Sequence, residues 1–422
     1  MCLLAPLGTR IPGLLDDEFV AFAFRRQAPL LYSRRYRAKA MEPLIYLAFV
    51  DDWELSGDGS GDPRLLQFQP LRRLVEIYNA HGVRGSFNAE VMQQLAFRQR
   101  QDSHPELKLL ADEWELLVRE TLRQGHDVQL HIHPQWSDAR YDDSRWQLNG
   151  GWSILNYSPD AARQMIETGR TYLEDLLQPV NPDYRCVSFR SGSWCIAPSP
   201  HILRLLADNG IVFDMSIVGG VRYDTRRIEL DYTNCEEDFL PFYPVMTDAR
   251  RVSPKPEPIV CIPTNHFYGS RRQTFRHHSS KVLGKLKKRS KPADVQPVGG
   301  RTMATYGHEW AQTSHNSVLT KFYDKGVRPY IRGRHLISDL AQLDYASMTE
   351  MLSSIRRRVE AAAIGPVPVI LENHTKDIRD FSHIERFVAD VAQASDIRCV
   401  TLTEIAHKIR EGAFVIKTAP SK

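Results

Sequence analysis

The sequence contains no apolar run of the roughly 18 residues that a membrane-crossing helix needs. Its six cysteines (Cys2, Cys186, Cys195, Cys235, Cys261 and Cys399) form no C-x-x-C pair and no even spacing. That argues against a disulfide framework and for free thiols in a reducing, cytoplasmic setting. Charge of one sign is scarce too. The 55 Lys and Arg against 51 Asp and Glu leave a net charge of +4, so the chain as a whole gives no sign of a nucleic-acid partner. No internal repeat is visible. What is present is ordinary for a soluble globular protein: 422 residues, 42% hydrophobic and 25% charged. That length buries a full core, as one long α/β barrel or as two or three domains.

Two stretches stand apart. The first 40 residues carry Arg10, Arg25, Arg26, Arg34, Arg35 and Arg37 against Asp16, Asp17 and Glu18. The apolar run at 2–7 is too short for a signal peptide and lacks a basic segment before it. The expectation is a poorly ordered extension over 1–40, with Met41 as an alternative start. Within residues 271–301, the run from Arg271 to Lys291 alone holds eleven basic or imidazole side chains, with no acid before Asp294. They belong to a basic insertion at about 268–330, which reads first as a solvated lid and otherwise as a site for an anionic partner. Residues 411–422 read as a C-terminal tail, leaving a single domain over 41–410.

Within that domain strands alternate with helices. Residues 44–50 are almost continuously apolar, as in a strand covered on both faces, and they run into Asp51-Asp52-Trp53-Glu54. Further strands are expected near 86–88, 127–133, 186–190, 211–214, 367–371 and 397–401. Helices are expected near 71–78, 106–124, 159–177, 199–209, 347–363, 384–394 and from Thr403 onward. This alternation implies an α/β architecture with a parallel sheet. Chemistry in such folds lies just beyond the carboxyl ends of the strands. Polar residues recur there: Asp51 and Asp52, Asn88, His131 and His133, Arg190, Asp214, and His374. One such residue would mean little, but recurrence on strand after strand means a pocket.

The densest strand end is residues 126–134, His-Asp-Val-Gln-Leu-His-Ile-His-Pro. His131 and His133, two apart on a strand, point to one side, and His126 opens the segment. A lone histidine is more often a satisfied core group, whereas clustered imidazoles with carboxylates elsewhere suit a transition metal. One carboxylate and two neutral imidazoles leave a fourth position open. Zinc or a similar ion held there lowers the pKa of water to about 7 and polarises a carbonyl. A second carboxylate can then act as general base, an arginine can keep it ionised, and a separate histidine can protonate a leaving amine. Asp51 and Asp52 would point to opposite faces of an extended strand. Where the chain turns, both reach one pocket, although a turn or helix cap explains an Asp-Asp pair as well.

In this order, the motifs resemble the polysaccharide deacetylase family (carbohydrate esterase family 4, NodB-homology fold) over about residues 44–409. The resemblance implies a distorted barrel of about seven β/α units. It places the catalytic base on Asp51 and a metal ligand on Asp52, the first and second of the paired acids. Gly125-His126-Asp127-Val128-Gln129-Leu130-His131 is similar to the family's second motif and makes His131 a ligand. Arg190 matches the arginine that holds the base, Asp214 an acid near the site, and Leu371-Glu372-Asn373-His374 the strand carrying the catalytic acid, His374. The implied activity is removal of acetyl from an N-acetylated sugar or glycan, with a divalent metal, zinc foremost. The nearest likeness is to the divergent branch found in surface-polysaccharide and lipopolysaccharide gene clusters.

There are departures. Gln135 stands where the family places its second metal histidine, so either His133 supplies that ligand from another spacing or Gln135 enters the shell and weakens the metal. Trp53 replaces the glycine after the paired acids, and Ser191-Gly192 replaces the proline after the arginine. Another register makes Asp51 the ligand and leaves the base unassigned. Trp53, Trp136 and Trp194 lie beside the motifs as candidate sugar-stacking residues, with Asn88 and Asp214 as further substrate contacts; core or rim packing explains the tryptophans as well. The alternatives to a deacetylase are a non-catalytic barrel that binds glycan or a partner, and an amidase acting on a non-sugar amide.

Overall fold

The computed structural model describes residues 45–148, 151–225, 227–270 and 333–420. The expected extension over 1–40 and the basic stretch 271–301 lie outside the described residues. Seven parallel strands follow one another around a barrel: β1 (Ile45–Trp53), β2 (Ser86–Glu90), β3 (Asp127–Ile132), β4 (Ser188–Ser191), β5 (Phe213–Asp214), β6 (Val260–Cys261) and β7 (Val367–His374). β1 lies between β2 and β7. The far edge closes just past β6, where Thr264 bridges Ile370 of β7 and Asn265 N donates to Ile370 O at 2.9 Å. The result is a distorted (β/α)7 barrel.

The membership of the ring differs from the expected one. β6 is two residues long, too short to show any period in the sequence. The strand expected near 397–401 is instead β8 (Ile397–Cys399), outside the ring. It pairs with Ile45, Tyr46 and Leu47 of β1, which is possible because β2 pairs only from Val50 onward.

The helices form for legible reasons. α1 (Gln69–Ala80) and α2 (Val91–Arg100) follow β1 and β2. α3 (Pro105–Arg123) starts with proline in its first turn, where a missing N–H costs nothing, and buries Leu107, Ala111, Trp114, Leu117 and Val118 along one stripe. α4 (Pro159–Leu177) is capped by Ser158, whose hydroxyl accepts from Ala161 N. α5 (Ile202–Asp208), α6 (Tyr345–Ala362) and α7 (Phe381–Ala392) follow. α8 (Leu402–Arg410) opens on a reciprocal capping box between Thr401 and Glu404.

The C-terminal tail packs onto the barrel. Phe414 is buried with its ring 5.4 Å from that of Tyr46, and Lys417 N donates to Pro241 O at 2.9 Å. An aromatic side chain four residues beyond the last described helix thus anchors the segment to the floor of the barrel. At the opposite end, an antiparallel hairpin of His266–Gly269 and Arg334–Ile337 brackets the basic insertion. Its second strand delivers Ser338 and Asp339 to the end of β7, where Ser338 Oγ accepts from Glu372 N at 3.2 Å.

Candidate active site

Strand alternation decides which side chains share the barrel mouth. On β1 and its extension, Asp52 and Glu54 lie on one side and Asp51 and Trp53 on the other. Asp51 accepts from Tyr78 Oη at 2.8 Å and from Asn373 Nδ2 at 2.5 Å. It lies under α1, and burial, outweighing those two bonds, pushes its carboxyl up to about 7. Asp51 is therefore placed away from the histidines. Trp53 stacks on Trp114 at 5.0 Å, in the core between sheet and helices. Neither meets the expectation of a base and a sugar platform, because the chain has not yet turned at these positions.

The pocket holds two acid–histidine groups. In the first, Glu54, His131 and His133 bring one ligand atom each within 4.8 Å of the others. His131 Nδ1 lies 2.8 Å from Arg190 O, and a carbonyl only accepts, so that nitrogen carries the hydrogen. Its Nε2 is then turned toward Glu54 Oε2, 3.1 Å away. An unprotonated imidazole nitrogen facing a carboxylate oxygen requires a proton or a cation between them. Without a metal, the proton takes that place: burial disfavours the charged ring, but Asp52 and Glu54 prevail and raise His131 to about 9. His133 Nε2 contacts the same carboxylate oxygen, and Lys376 Nζ contacts the other. The chemistry of this donor set, two imidazoles and a carboxylate, fits a divalent ion such as zinc.

Gln135 sits behind this group, with Nε2 3.0 Å from His133 Nδ1. It positions the ring and does not join the three ligand atoms. Gly192 makes the close packing here possible, since a Cβ on it would come within 2.7 Å of Ile132 O and 2.9 Å of the His133 ring. Proline is disfavoured after the arginine because Ser191 N donates to Ser216 Oγ at 2.9 Å, a bond that proline lacks the N–H to make. The chain continues through Ser193 and Trp194 with φ of 55° and 58°, a left-handed conformation that costs non-glycine residues and that recurs at functional sites.

The second group is Asp52, Glu372 and His374. Arg190, fully buried, places Nη1 3.2 Å from Asp52 Oδ2 and 3.2 Å from Glu372 Oε1. Asn88 Nδ2 donates to Asp52 Oδ1 at 2.7 Å. Burial alone would raise Asp52, but Arg190, then His131 and His374, hold it below its ordinary value. His374 Nε2 lies 3.5 Å from Glu372 Oε1, 3.7 Å from Asp52 Oδ2 and 4.0 Å from Glu54 Oε1. Its Nδ1 faces Asp339 Oδ2 at 3.1 Å. Burial and Lys376 disfavour the charged ring, yet Asp339 and Glu372 raise it to about 10. The indole of Trp194 stands edge-on to His374 at 6.0 Å, stacks on Tyr223 and donates Nε1–H to Glu372 Oε1 at 2.9 Å.

Of the expected site residues, Asp52, Asn88, His131, His133, Arg190, Trp194 and His374 meet at this mouth. Asp51, Trp53, Trp136 and Asp214 do not. Trp136 packs against Phe97 and Trp146 beneath the hairpin at 140–147. Asp214 is tied to Ser216 by Oγ–H at 2.7 Å and N–H at 3.0 Å. His126 lies at the start of β3, at the other end of the barrel. There it accepts from Gly85 N at 3.1 Å, and burial lowers it to about 4. The residues that sequence reasoning missed are Glu54, Asp339, Glu372 and Lys376. Glu54 stood in plain view two positions after Asp52, on the same side of an extended chain. Asp339 gave no signal, since a hairpin beyond the insertion brings it in.

No protein-family model matches the sequence, and no curated protein matches it. Several solved structures do match. One is described as a polysaccharide deacetylase from Mycobacterium smegmatis: 14% identity, 91% of this chain and 96% of that one, TM-score 0.42. Another, from Pseudomonas aeruginosa PAO1 and also described as a polysaccharide deacetylase, shares 12% identity over 89% and 94% at TM-score 0.42. A third, from Bordetella bronchiseptica and described as a polysaccharide deacetylase of O-antigen biosynthesis, shares 16% over 51% and 56% at TM-score 0.23. The descriptions of these structures name the family that the sequence motifs resemble. Among the described residues no helix is long and apolar enough to cross a membrane.

Proposed function

We propose that the chain is a metal-dependent hydrolase of carbon–nitrogen amide bonds, acting on an N-acylated sugar or glycan. One observation carries this reading: His131, its Nδ1 spent on a carbonyl, turns Nε2 to the carboxylate that His133 also meets. In this reading Glu54, His131 and His133 hold the metal, foremost zinc. In the second group Arg190 already bridges both carboxylates, whereas in the first the cation Lys376 contacts only the Glu54 oxygen that the two histidines do not share.

A bound divalent ion would lower the pKa of water and polarise the substrate carbonyl. The chain supplies the rest. Asp52, kept ionised by Arg190 and Asn88, takes a proton from the attacking water. His374, kept protonated by Asp339, gives a proton to the departing nitrogen. Glu54 oxygen, 4.0 Å from His374 Nε2, keeps the two groups within reach of one scissile bond. The roles expected of Asp51 and Asp52 thus move along the chain: Asp52 becomes the base and Glu54 the ligand. Trp194 and Tyr223 form an aromatic wall beside His374, suited to the face of a sugar ring.

The test is zinc content and hydrolysis of N-acetylated sugars for the wild type and a His131→Ala, His133→Ala double variant. About one zinc per chain, lost together with turnover in the variant, is expected. Zinc uptake unchanged in the variant would refute the site.

A further inference from the structure

Glu372 is the acid that this mechanism leaves unused. It is fully buried, and it lies two residues before His374 on β7, on the same face. The groups that face it, the Trp194 indole, the Arg190 guanidinium and His374 Nε2, all contact a single oxygen, Oε1. The other, Oε2, is buried without a hydrogen-bond partner. Fixing Trp194 and Arg190 thus accounts for half of the carboxylate. The other half stays unmatched unless something else meets it, and a buried unmatched acceptor is unfavourable. Burial raises Glu372 to about 6 despite Arg190 and His374, so at neutral pH the unmatched oxygen is an acceptor awaiting a donor.

Space decides which half of an amide could bring one. The amine side of a glycan substrate is large and must lead out of the barrel. Glu372 is enclosed by Trp194, Arg190 and His374, so a substrate group that meets it must be small, and the small half of the substrate is the acyl group. We propose that Glu372 is a specificity-determining residue that receives a hydroxyl or amino hydrogen from the acyl group, so that the preferred substrates are short hydroxyacyl or aminoacyl amides rather than plain acetamides. Water adds its oxygen to the acyl carbon, the C–N bond breaks, the nitrogen leaves protonated, and the product is a short hydroxy or amino acid.

This inference rests on the metal site proposed above. Its test uses the zinc-loaded full chain titrated calorimetrically with acetohydroxamate, glycolohydroxamate and glycine hydroxamate, which differ only in the acyl substituent. The wild type should bind the hydroxymethyl or aminomethyl probe about tenfold or more tightly over the methyl one. Glu372→Leu should reverse that order, and Glu372→Gln, the variant more certain to fold, should keep a preference for hydroxyl over methyl. A zinc-loaded wild type that binds all three equally, or prefers acetohydroxamate, overturns the assignment of Glu372 alone. A chain that takes up no zinc in a separate titration overturns the metal site and this inference with it.

Discussion

Asp51 and Asp52 are neighbours on one strand, both fully or almost fully buried, yet the barrel treats them in opposite ways. Asp52 meets Arg190 and stays ionised. Asp51 meets only the neutral donors Tyr78 and Asn373 and is pushed up to about 7. The difference is a consequence of pleat: successive side chains face opposite sides of a sheet, and only one side carries a compensating charge. A carboxylate in the wall is neutralised by protonation, whereas one in the mouth is neutralised by a partner and keeps its charge for chemistry. The histidines at the two ends of β3 repeat the lesson. His126 at its start is lowered to about 4 and His131 at its end is raised to about 9.

The sharpest way to break this contrast is to neutralise each aspartate. Asp52→Asn should reduce turnover by about 10²–10⁴ while zinc stoichiometry stays near one. Asp51→Asn should leave turnover nearly unchanged, and a loss confined to Asp51→Asn would reverse the assignment. Extending the comparison one residue pair along the strand, Glu54→Gln should weaken zinc binding by more than about 100-fold in a competitive chelator titration. Trp53→Phe, on the other face, should leave that affinity alone.

Arg190 is what separates the two faces electrostatically. Arg190→Met leaves two buried carboxylates without their cation and should cost about 3–5 kcal/mol in urea unfolding. Stability unaffected by that change would mean that the carboxylates are neutralised in some other way.

The smallest effect concerns pH. Asp51 takes up its proton more readily folded than unfolded, so between about 4 and 7 the native chain binds more protons. The Asp51 contribution to stability therefore falls as pH rises through that window. Asp51→Asn should remove this slope, so that its stability relative to the wild type improves from pH 4 to 7 and levels off above. Parallel stability curves for the two proteins across the window would show that Asp51 is charged in the fold.

Much of the chemistry was legible along the chain. The i, i+2 histidines at the end of β3 share a face by pleat alone, and Arg190 and His374 lie at strand ends wherever the strands lie. Local sequence also decided the helices, because apolar stripes, Ser158, Thr401 and Glu404 act within a turn or two. The order of the barrel was less legible. β6 is two residues long and β8 fits beside β1 only because β2 starts late, and neither fact has a local signature. Which of Asp51, Asp52 and Glu54 turns inward depended on where β1 stops being extended, and that is fixed by pairing with β7 through Asp52 and His374. Asp339 and Glu372 became part of the site only through tertiary contact, one across a hairpin and one through Arg190 and Trp194. Sequence sets side-chain type and local period, but charge compensation acts over a few ångströms in space, so only the closed barrel decides which acid keeps its charge.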